Sequence, residues 1–209
     1  VIYSAGENLA DGVTKDREQI SRYGDLIKGE GKKLSGMVEQ IMEFAGARSG
    51  RKKYNFADVD IVEIAGNAIE ECQPELEENG FEVESELANV LPSVSGDAEA
   101  LSSAIQNLIR NSVKYSSGSR WVRISAENGN STIKIAVEDR GIGIAAGDLN
   151  KVFEPFYRAK EVVDAQIHGN GLGLSLVKEI AEAHGGSVKV ISEIGKGSKF
   201  TIEIPLRVV

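Results

Sequence analysis

Two short alternating segments joined by a turn constrain the fold of this chain more than any other feature. Residues 121–127 and 132–138 place apolar side chains at every second position, and Asn128-Gly129-Asn130 separates them. Alternation with a period of two predicts strands, and an Asn-Gly step between two strands predicts a hairpin. The sequence therefore predicts a pair of antiparallel strands in this region.

Helical and strand patterns interleave on both sides of this hairpin. Helices are predicted over residues 61–76, 97–114 and 171–184, where apolar residues recur every three or four positions. Further strands are predicted over residues 54–56, 81–87, 187–192 and 199–205. Helices that interleave with mostly antiparallel strands predict an α+β fold, in which a helical layer packs on a sheet, and not a doubly wound parallel sheet.

The first fifty residues follow a different pattern. The apolar residues at positions 20, 23, 27, 34, 37, 41 and 44 keep a spacing of three and four, which is typical of a helix packed along a partner helix. Residues 2–10 resemble the end of such a partner, and the polar stretch 46–53 predicts a linker. We therefore predict two parts, a helical hairpin fragment over 1–50 and an α+β domain over 51–209. The short partner covers too little of the long helix, which predicts either a second copy of the chain or an exposed helix.

Composition excludes some classes of function. The 209 residues carry a formal net charge of −8 at pH 7, which disfavours nonspecific binding of nucleic acid or of an anionic membrane surface. No apolar run approaches the ~20 residues that span a bilayer. Cys72 is the only cysteine, which favours a reducing, cytoplasmic location. Its place on an apolar helical face predicts a packing role for the thiol.

The helix predicted over 97–114 also carries a polar face. Asn107, Asn111 and Lys114 lie at positions i, i+4 and i+7, which share one side of a helix, and Tyr115 follows directly. Carboxamide oxygens are suitable ligands for Mg²⁺, and a lysine ammonium can neutralise a phosphate. A plain solvated helix face is the alternative interpretation.

A second polar cluster follows the hairpin. Asp139 stands at the predicted end of a strand, where its carboxylate can accept a hydrogen bond from an exocyclic amine such as that of adenine. Gly141 and Gly143 would let the chain turn sharply and pass close to a flat ring. A simple Asp-Gly turn would explain the same residues.

The region 152–176 combines aromatic, basic and glycine residues. Phe153 and Phe156 flank Pro155, and Arg158 follows, which predicts either a buried loop anchor or a mobile cover over a phosphate site. The stretch HGNGLGLSL at 168–176 then places glycines directly before a helix, where backbone amides can face an anion. It matches neither a dinucleotide-binding motif nor a P-loop.

Taken in order, these motifs resemble the ATP-binding catalytic domain of sensor histidine kinases of two-component systems. Residues 107–116 look like the asparagine box of that family, 139–143 like the first glycine box, 153–158 like the phenylalanine box and 169–174 like the second glycine box. The resemblance covers about residues 54–206 and implies a two-layer, Bergerat-type ATP-binding fold. Residues 1–50 look like the end of the family's dimerisation hairpin, which also carries the phosphoacceptor histidine.

The resemblance also implies roles for individual residues. Asn111, assisted by Asn107, would hold a Mg²⁺ ion that bridges the ATP phosphates. Lys114 and Arg158 would be the catalytic residues, because both would contact phosphate groups, Arg158 from a lid. Asp139 would bind the adenine amino group. The remaining implied nucleotide contacts are Tyr115, Gly141, Gly143, Ile144, Gly169, Asn170, Gly171, Leu172, Gly173 and Leu174.

Two departures from the pattern refine this interpretation. Hydrolysing relatives of the fold, such as gyrase-type topoisomerases, carry a glutamate where Asn107 stands, so a kinase is favoured over an ATP-driven clamp. Only two histidines are present, His168 in the predicted lid and His184 at a helix end, where we expect a capping or packing role. Val1-Ile2 resemble residues just downstream of the histidine box, so the chain is predicted to begin after the acceptor and to bind ATP without phosphorylating itself.

The predicted function is therefore ATP-dependent transfer of the γ-phosphate to a hairpin histidine outside this sequence. The expected partners are ATP, Mg²⁺, a second copy of the chain and the receiver domain of a response regulator. A longer parent protein could carry a membrane anchor. The alternative is a non-catalytic, ATP-binding signalling scaffold whose parent has lost the acceptor histidine.

Overall fold

The chain folds into two units, and the computed structural model describes residues 1–13, 16–48, 53–116, 118–164, 167 and 169–206. Internal contacts group Val1–Ala45 into the first unit and Gly46–Val209 into the second. Helix α1 spans Ile2–Ala10, and helix α2 spans Arg17–Arg48, in agreement with the helix predicted from the three-and-four spacing. Among the described residues, no helix combines the length and the apolar character that a bilayer span requires.

The second unit alternates helices with strands. Its elements in chain order are β1 (Ala57–Val59), α3 (Ile61–Glu78), β2 (Glu82–Leu87), β3 (Val94–Gly96), α4 (Ala98–Tyr115), β4 (Trp121–Asn128), β5 (Thr132–Asp139), α5 (Lys160–Asp164), α6 (Gly173–Ala183), β6 (Ser187–Glu193) and β7 (Gly197–Pro205).

Five strands form the main sheet, in the order β2-β4-β5-β7-β6. All neighbours are antiparallel except β2 and β4, which run parallel. The predicted hairpin is confirmed: β4 pairs with β5, and Val122 lies opposite Asp139 at its open end. Strands β1 and β3 form a separate two-stranded antiparallel sheet.

One face of the main sheet is covered by helices. The alternate residues Ile133, Ile135 and Val137 of β5 are fully buried, together with Leu101, Ile105 and Leu108 of α4. They belong to one apolar core, to which α3 and α6 also contribute. The two-layer α+β fold predicted from the sequence is therefore confirmed.

Cys72 lies inside this core on α3. Its side chain is buried, and burial raises the pKa of the thiol to about 11. A thiol with such a pKa stays protonated near neutral pH, and the thiolate is the reactive form. The structure thus agrees with a packing role for Cys72.

The short strands near the start of the second unit were predicted less well. The strand expected at 54–56 lies instead at β1. The Asn55 N–H donates to the Asp97 carboxylate at 2.7 Å and not to a neighbouring strand, and the ladder with β3 begins only at Ala57. Strand β3 was missed because three residues, Val-Ser-Gly, are too few to display a period of two.

His184 ends α6 and is only 5% exposed. Its Nε2 accepts a hydrogen bond from the Asp97 backbone N–H at 2.9 Å, so Nδ1 carries the proton and donates to the Ile180 carbonyl at 2.7 Å. The capping and packing role predicted for His184 is confirmed, and both ring nitrogens are already engaged. His168 lies outside the described residues.

Two isoleucines of the main sheet provide a matched test of the core. Ile135 is fully buried on β5, whereas Ile191 on the edge strand β6 is 76% exposed. We expect Ile135→Ala to lower the free energy of unfolding by about 2–5 kcal/mol, because it leaves a cavity. Ile191→Ala should change it by less than about 0.5 kcal/mol. Denaturant unfolding measures both values, and similar losses for the two variants would contradict this assignment of the core.

Candidate functional site

Helix α4 brings the first group of polar side chains together. The Asp97 side chain caps its start by accepting a hydrogen bond from the Ala100 N–H at 3.0 Å. Because the apolar stripe of α4 faces the core, Asn107, Asn111 and Lys114 are aligned along another face of the same helix. The polar face predicted from the sequence thus exists as a continuous strip.

Asn107 and Asn111 converge on the first residue of α6. A Cβ atom placed on Gly173 would lie 3.3 Å from Asn107 Oδ1 and 3.9 Å from Asn111 Oδ1. The Asn107 amide nitrogen donates to the Ser103 carbonyl at 2.9 Å, which holds this side chain in place. In the described part of the chain, the buried Asn111 Nδ2 has no hydrogen-bond partner. A buried polar atom without a partner is costly and points to a missing ligand group.

The start of α6 offers backbone donors beside these carboxamides. Leu172 is the N-cap residue, and its apolar side chain makes no capping hydrogen bond. The N–H groups of a first helical turn have no partner within the helix, and with the helix dipole they favour an anion. Asn170 supports the preceding loop, because its Oδ1 accepts from the Leu172 N–H at 3.1 Å.

Lys114 reaches the same glycine loop from α4. Its Nζ lies 4.8 Å from the centroid of the Tyr115 ring and directly against Gly169, where a Cβ atom would collide with it. Gly171 has a φ of +71°, which a glycine adopts without strain. Its carbonyl accepts from the Phe156 N–H at 3.0 Å, so the phenylalanine loop is tied to the glycine loop.

Asp139 stands at the end of β5 and is only 6% exposed. Its Oδ1 accepts hydrogen bonds from the Gly141 N–H at 2.8 Å and from the Ser198 N–H at 3.3 Å. Burial raises the pKa of this carboxyl, although the two amides and the neighbouring Ser116 hydroxyl favour its charged form. Because both amides bond to Oδ1, the second oxygen can accept from a further donor.

The glycines after Asp139 approach protein atoms closely. A Cβ atom on Gly141 would lie 2.7 Å from Ser116 Oγ, and one on Gly143 would collide with the Glu193 carbonyl. Both glycines were predicted to let the chain turn sharply and pass close to a flat ring. The structure adds tight packing against α4 and against the turn between β6 and β7. The next residue, Ile144, is half-buried against the core and donates its N–H to Ser192 Oγ at 2.8 Å.

Three further predicted residues, Arg158, Leu172 and Leu174, do not direct their side chains into this cluster of polar groups. The contacts described for Arg158 tie it to its own segment, where its Nη2 donates to the Ile167 carbonyl. Leu172 is fully buried and Leu174 packs against the core, so these two residues can offer only backbone atoms to a ligand.

Ser116 and Ser198 were missed as site residues. Ser116 is fully buried, and in the described part of the chain its hydroxyl makes no well-formed hydrogen bond. It follows Tyr115 directly, so its position in the motif was a usable signal. Ser198 contributes a backbone N–H from β7, which no side-chain pattern could reveal.

The set of polar groups at this site fits a triphosphate nucleotide together with a hard cation. It consists of two carboxamides, one ammonium, the free amides of a helix start and one buried carboxylate. The described residues contain no group of three or more His, Cys, Asp or Glu side chains that could hold a metal by themselves. A Mg²⁺ ion held by one or two protein oxygens commonly completes its coordination with substrate phosphates and water.

Sequence comparison places this site in a known family. Residues 96–208, which include α4, Asp139 and the glycine loop, match the family described as histidine kinase-, DNA gyrase B-, and HSP90-like ATPase. The chain belongs to this ATPase family. The resemblance stated from the four motifs is thereby confirmed at the level of the family and its fold.

Individual relatives are sensor kinases. The chain is 35% identical over 190 residues to the sensor-like histidine kinase SenX3 of Mycobacterium bovis, a match that covers 91% of this chain and 46% of the relative. It therefore spans about half the length of that relative. Full-length ShkA in complex with AMPPNP is similar, with a TM-score of 0.78, 28% identity and coverage of 95% of this chain and 41% of ShkA.

A second similar structure is that of the histidine kinase ThkA in complex with the response regulator protein TrrA. Its TM-score is 0.75 at 21% identity, with 99% of this chain and 57% of the ThkA chain covered. At this identity the likeness shows the fold alone.

The buried position of Asp139 predicts a pH dependence of ATP binding. Because burial raises the pKa of Asp139, this carboxyl gains a proton at a higher pH than an ordinary aspartate, whose pKa is about 3.9. The resemblance implies that Asp139 accepts a hydrogen bond from the adenine amino group, and a neutral carboxyl accepts such a bond less strongly. ATP affinity should therefore be constant near neutral pH and fall as the pH drops through the raised pKa.

Calorimetric titration with Mg-ATP at decreasing pH measures this dependence, and circular dichroism checks that the fold is intact at each pH. In Asp139→Asn, binding should be weaker and should lose this pH dependence. An affinity that stays constant down to about pH 4, where ordinary aspartates titrate, would contradict the prediction.

Proposed function

We propose that this chain is the ATP-binding catalytic region of a sensor histidine kinase, which transfers the γ-phosphoryl group of ATP to a histidine on a helical hairpin outside this sequence. The observation that carries the proposal is the convergence of Asn107 and Asn111 on Gly173, with Lys114 against Gly169 beside them. Two carboxamide oxygens and the lysine ammonium group thus lie beside the start of α6, whose backbone amides can bind phosphate.

Asp139 recognises the base in this proposal. Its second carboxylate oxygen accepts a hydrogen bond from the 6-amino group of adenine, while the Gly141 and Ser198 amides hold the first oxygen. Guanine carries a carbonyl at position 6 and offers no donor there, so Asp139 also provides specificity. Tyr115 and Ile144 line the pocket of the base.

The phosphates lie against α4 and the glycine loop in this proposal. Asn111 and Asn107 would hold Mg²⁺ through their carboxamide oxygens, and the ion supplies neutralisation of phosphate charge when bound. Lys114 neutralises further charge, and the backbone amides of 169–174 bind the phosphate chain. These residues position the reacting groups and contribute no covalent chemistry.

Asn107 supports transfer over hydrolysis. A carboxamide cannot accept a proton from water near neutral pH, so it is no general base. Its Nδ2 is also bonded to the Ser103 carbonyl, which keeps the side chain in one orientation. The polypeptide acceptor supplies its own nucleophile, so a kinase site does not need a base at this position.

Arg158 acts from the lid in this proposal. Its guanidinium bonds to the Ile167 carbonyl, and its Nε is buried without a partner in the described part of the chain. Binding of ATP would exchange this carbonyl for a γ-phosphate oxygen, to which arginine binds more strongly because the acceptor is charged.

The histidine that accepts the phosphoryl group is not one of the site residues described above. His184 cannot serve, because both of its ring nitrogens are hydrogen-bonded within the fold. We infer that the phosphohistidine then passes its phosphoryl group to the receiver domain of a response regulator, the class of partner present in the ThkA complex. A cytoplasmic location stays a prediction from the sequence.

A kinase assay with a separate hairpin tests the function. The wild-type chain, mixed with a dimerisation hairpin that carries the acceptor histidine, should transfer label from γ-labelled ATP to that hairpin. Asp139→Asn should weaken ATP binding about 10- to 100-fold, because it removes a charged hydrogen-bond acceptor. Glu138→Gln is the matched control. Glu138 directly precedes Asp139 in the sequence, but its side chain forms an ion pair with Lys199 on the other face of the sheet.

Tight ATP binding without any phosphohistidine would favour the non-catalytic scaffold over the kinase. Equal ATP affinities of wild type and Asp139→Asn would show that the base-binding assignment is wrong.

We also propose that residues 1–50 are part of a dimerisation hairpin. Helix α2 leaves several apolar side chains exposed, among them Ile20 (43%), Leu34 (57%) and Ile41 (47%), which belong to the three-and-four pattern of the sequence. A second copy of the chain would cover this stripe and remove apolar surface from water.

Two adjacent residues of α2 test this association. Ile41 belongs to the repeating pattern, whereas Met42, which is 69% exposed, does not. We expect sedimentation velocity to find a dimer for the wild type and for Met42→Glu, and a monomer for Ile41→Glu, because a charge would be buried in the interface. A monomeric wild type at all concentrations would exclude a dimer formed by this stripe.

A further inference from the structure

The sheet face opposite the helices carries an unusual aromatic contact beside Asp139. Val122, Ile124 and Ala126 of β4 point into the core, so Trp121 and Arg123 lie on the other face. Trp121 is nevertheless only 6% exposed. The Arg140 guanidinium lies 4.0 Å from the centroid of its ring and the Arg123 guanidinium 5.1 Å, and the indole N–H donates to Glu84 at 3.2 Å.

Arg140 connects this contact to the candidate site. It stands between Asp139 and Gly141, in the turn where Oδ1 of Asp139 accepts the Gly141 N–H. Successive residues leave a strand on opposite faces, so Asp139 points toward the helical layer while Arg140 points toward Trp121. The turn is therefore held from both faces of the sheet at once.

The Arg140 side chain stacks on the Trp121 ring. Within the described part of the chain, Arg140 forms no salt bridge, and the side chain is exposed apart from the ring beneath it. A guanidinium 4.0 Å from a tryptophan centroid is well within the range of a favourable cation–π interaction. The contact restricts the turn without touching the pocket of the base.

We propose that Arg140 and Trp121 are positioning residues for recognition of the adenine base. Their stack restrains the turn at residues 139–141 and thereby keeps the Asp139 carboxylate aimed at the amino group. The inference rests on the proposed function, because it requires Asp139 to bind the base. It adds two residues that lie outside the pocket of the base. The affinity for ATP and the preference for adenine over guanine depend on both of them.

The test uses the full chain and two arginine variants that affect the same ring. Arg140→Leu removes the cation attached to the turn, and Arg123→Leu removes the other cation, which is attached to β4. We expect Arg140→Leu to weaken ATP binding about fivefold and to reduce the preference for ATP over GTP. Arg123→Leu should stay within about twofold of wild type, and Arg140→Lys should recover part of the loss because it keeps a cation.

Tripolyphosphate binding with Mg²⁺ separates positioning from a general structural effect. It uses the phosphate-binding residues alone, so Arg140→Leu should leave this affinity unchanged. Loss of one exposed cation–π contact should lower the melting temperature by no more than about 4 °C. The proposal is overturned if Arg140→Leu binds ATP like wild type, if it loses ATP and tripolyphosphate affinity equally, or if Arg123→Leu loses as much ATP affinity as Arg140→Leu.

The two hypotheses fail in distinguishable ways. A wild type that does not bind ATP, or an Asp139→Asn variant that binds it equally well, overturns the base-binding assignment and this inference with it. If wild type and Asp139→Asn behave as expected while Arg140→Leu shows no loss, only the positioning role is wrong.

Discussion

The packing of α4 against the main sheet is the interaction on which the rest of the structure depends. Leu101, Ile105 and Leu108 of this helix are fully buried together with the inward residues of β5. Because the apolar stripe permits one rotation of the helix about its axis, it also decides where the polar face points. The core therefore sets the positions of Asn107, Asn111 and Lys114 relative to the glycine loop.

The same packing brings together polar groups that carry a cost when no ligand is bound. The Asp139 carboxyl is buried, the Asn111 amide lacks a partner in the described part of the chain, and the first turn of α6 has no side-chain cap. A buried, unpaired amide such as that of Asn111 costs about 1–3 kcal/mol. The apolar core offsets these costs, so a site prepared for a charged ligand can persist without it.

Much of the fold was predictable, because hydrophobic periodicity reports which face of each element is buried. The β4–β5 hairpin and helices α2, α3, α4 and α6 were predicted within a few residues of their bounds. Strand β3 and the start of β1 were not, since their position depends on pairing between distant segments. The candidate residues were found because four ordered motifs carry them, although their contacts were invisible in the sequence.

The sequence by itself determined the family, the two-layer fold and the residue types of the site, because these follow from local periodicity and from motif order. Only the tertiary structure decided which groups meet. Gly173 lies beside Asn107 and Asn111, Ser116 beside Asp139, and Arg140 on Trp121, and each pair joins separate elements. Such contacts arise when the helices pack on the sheet, and that packing depends on the shape of the whole core.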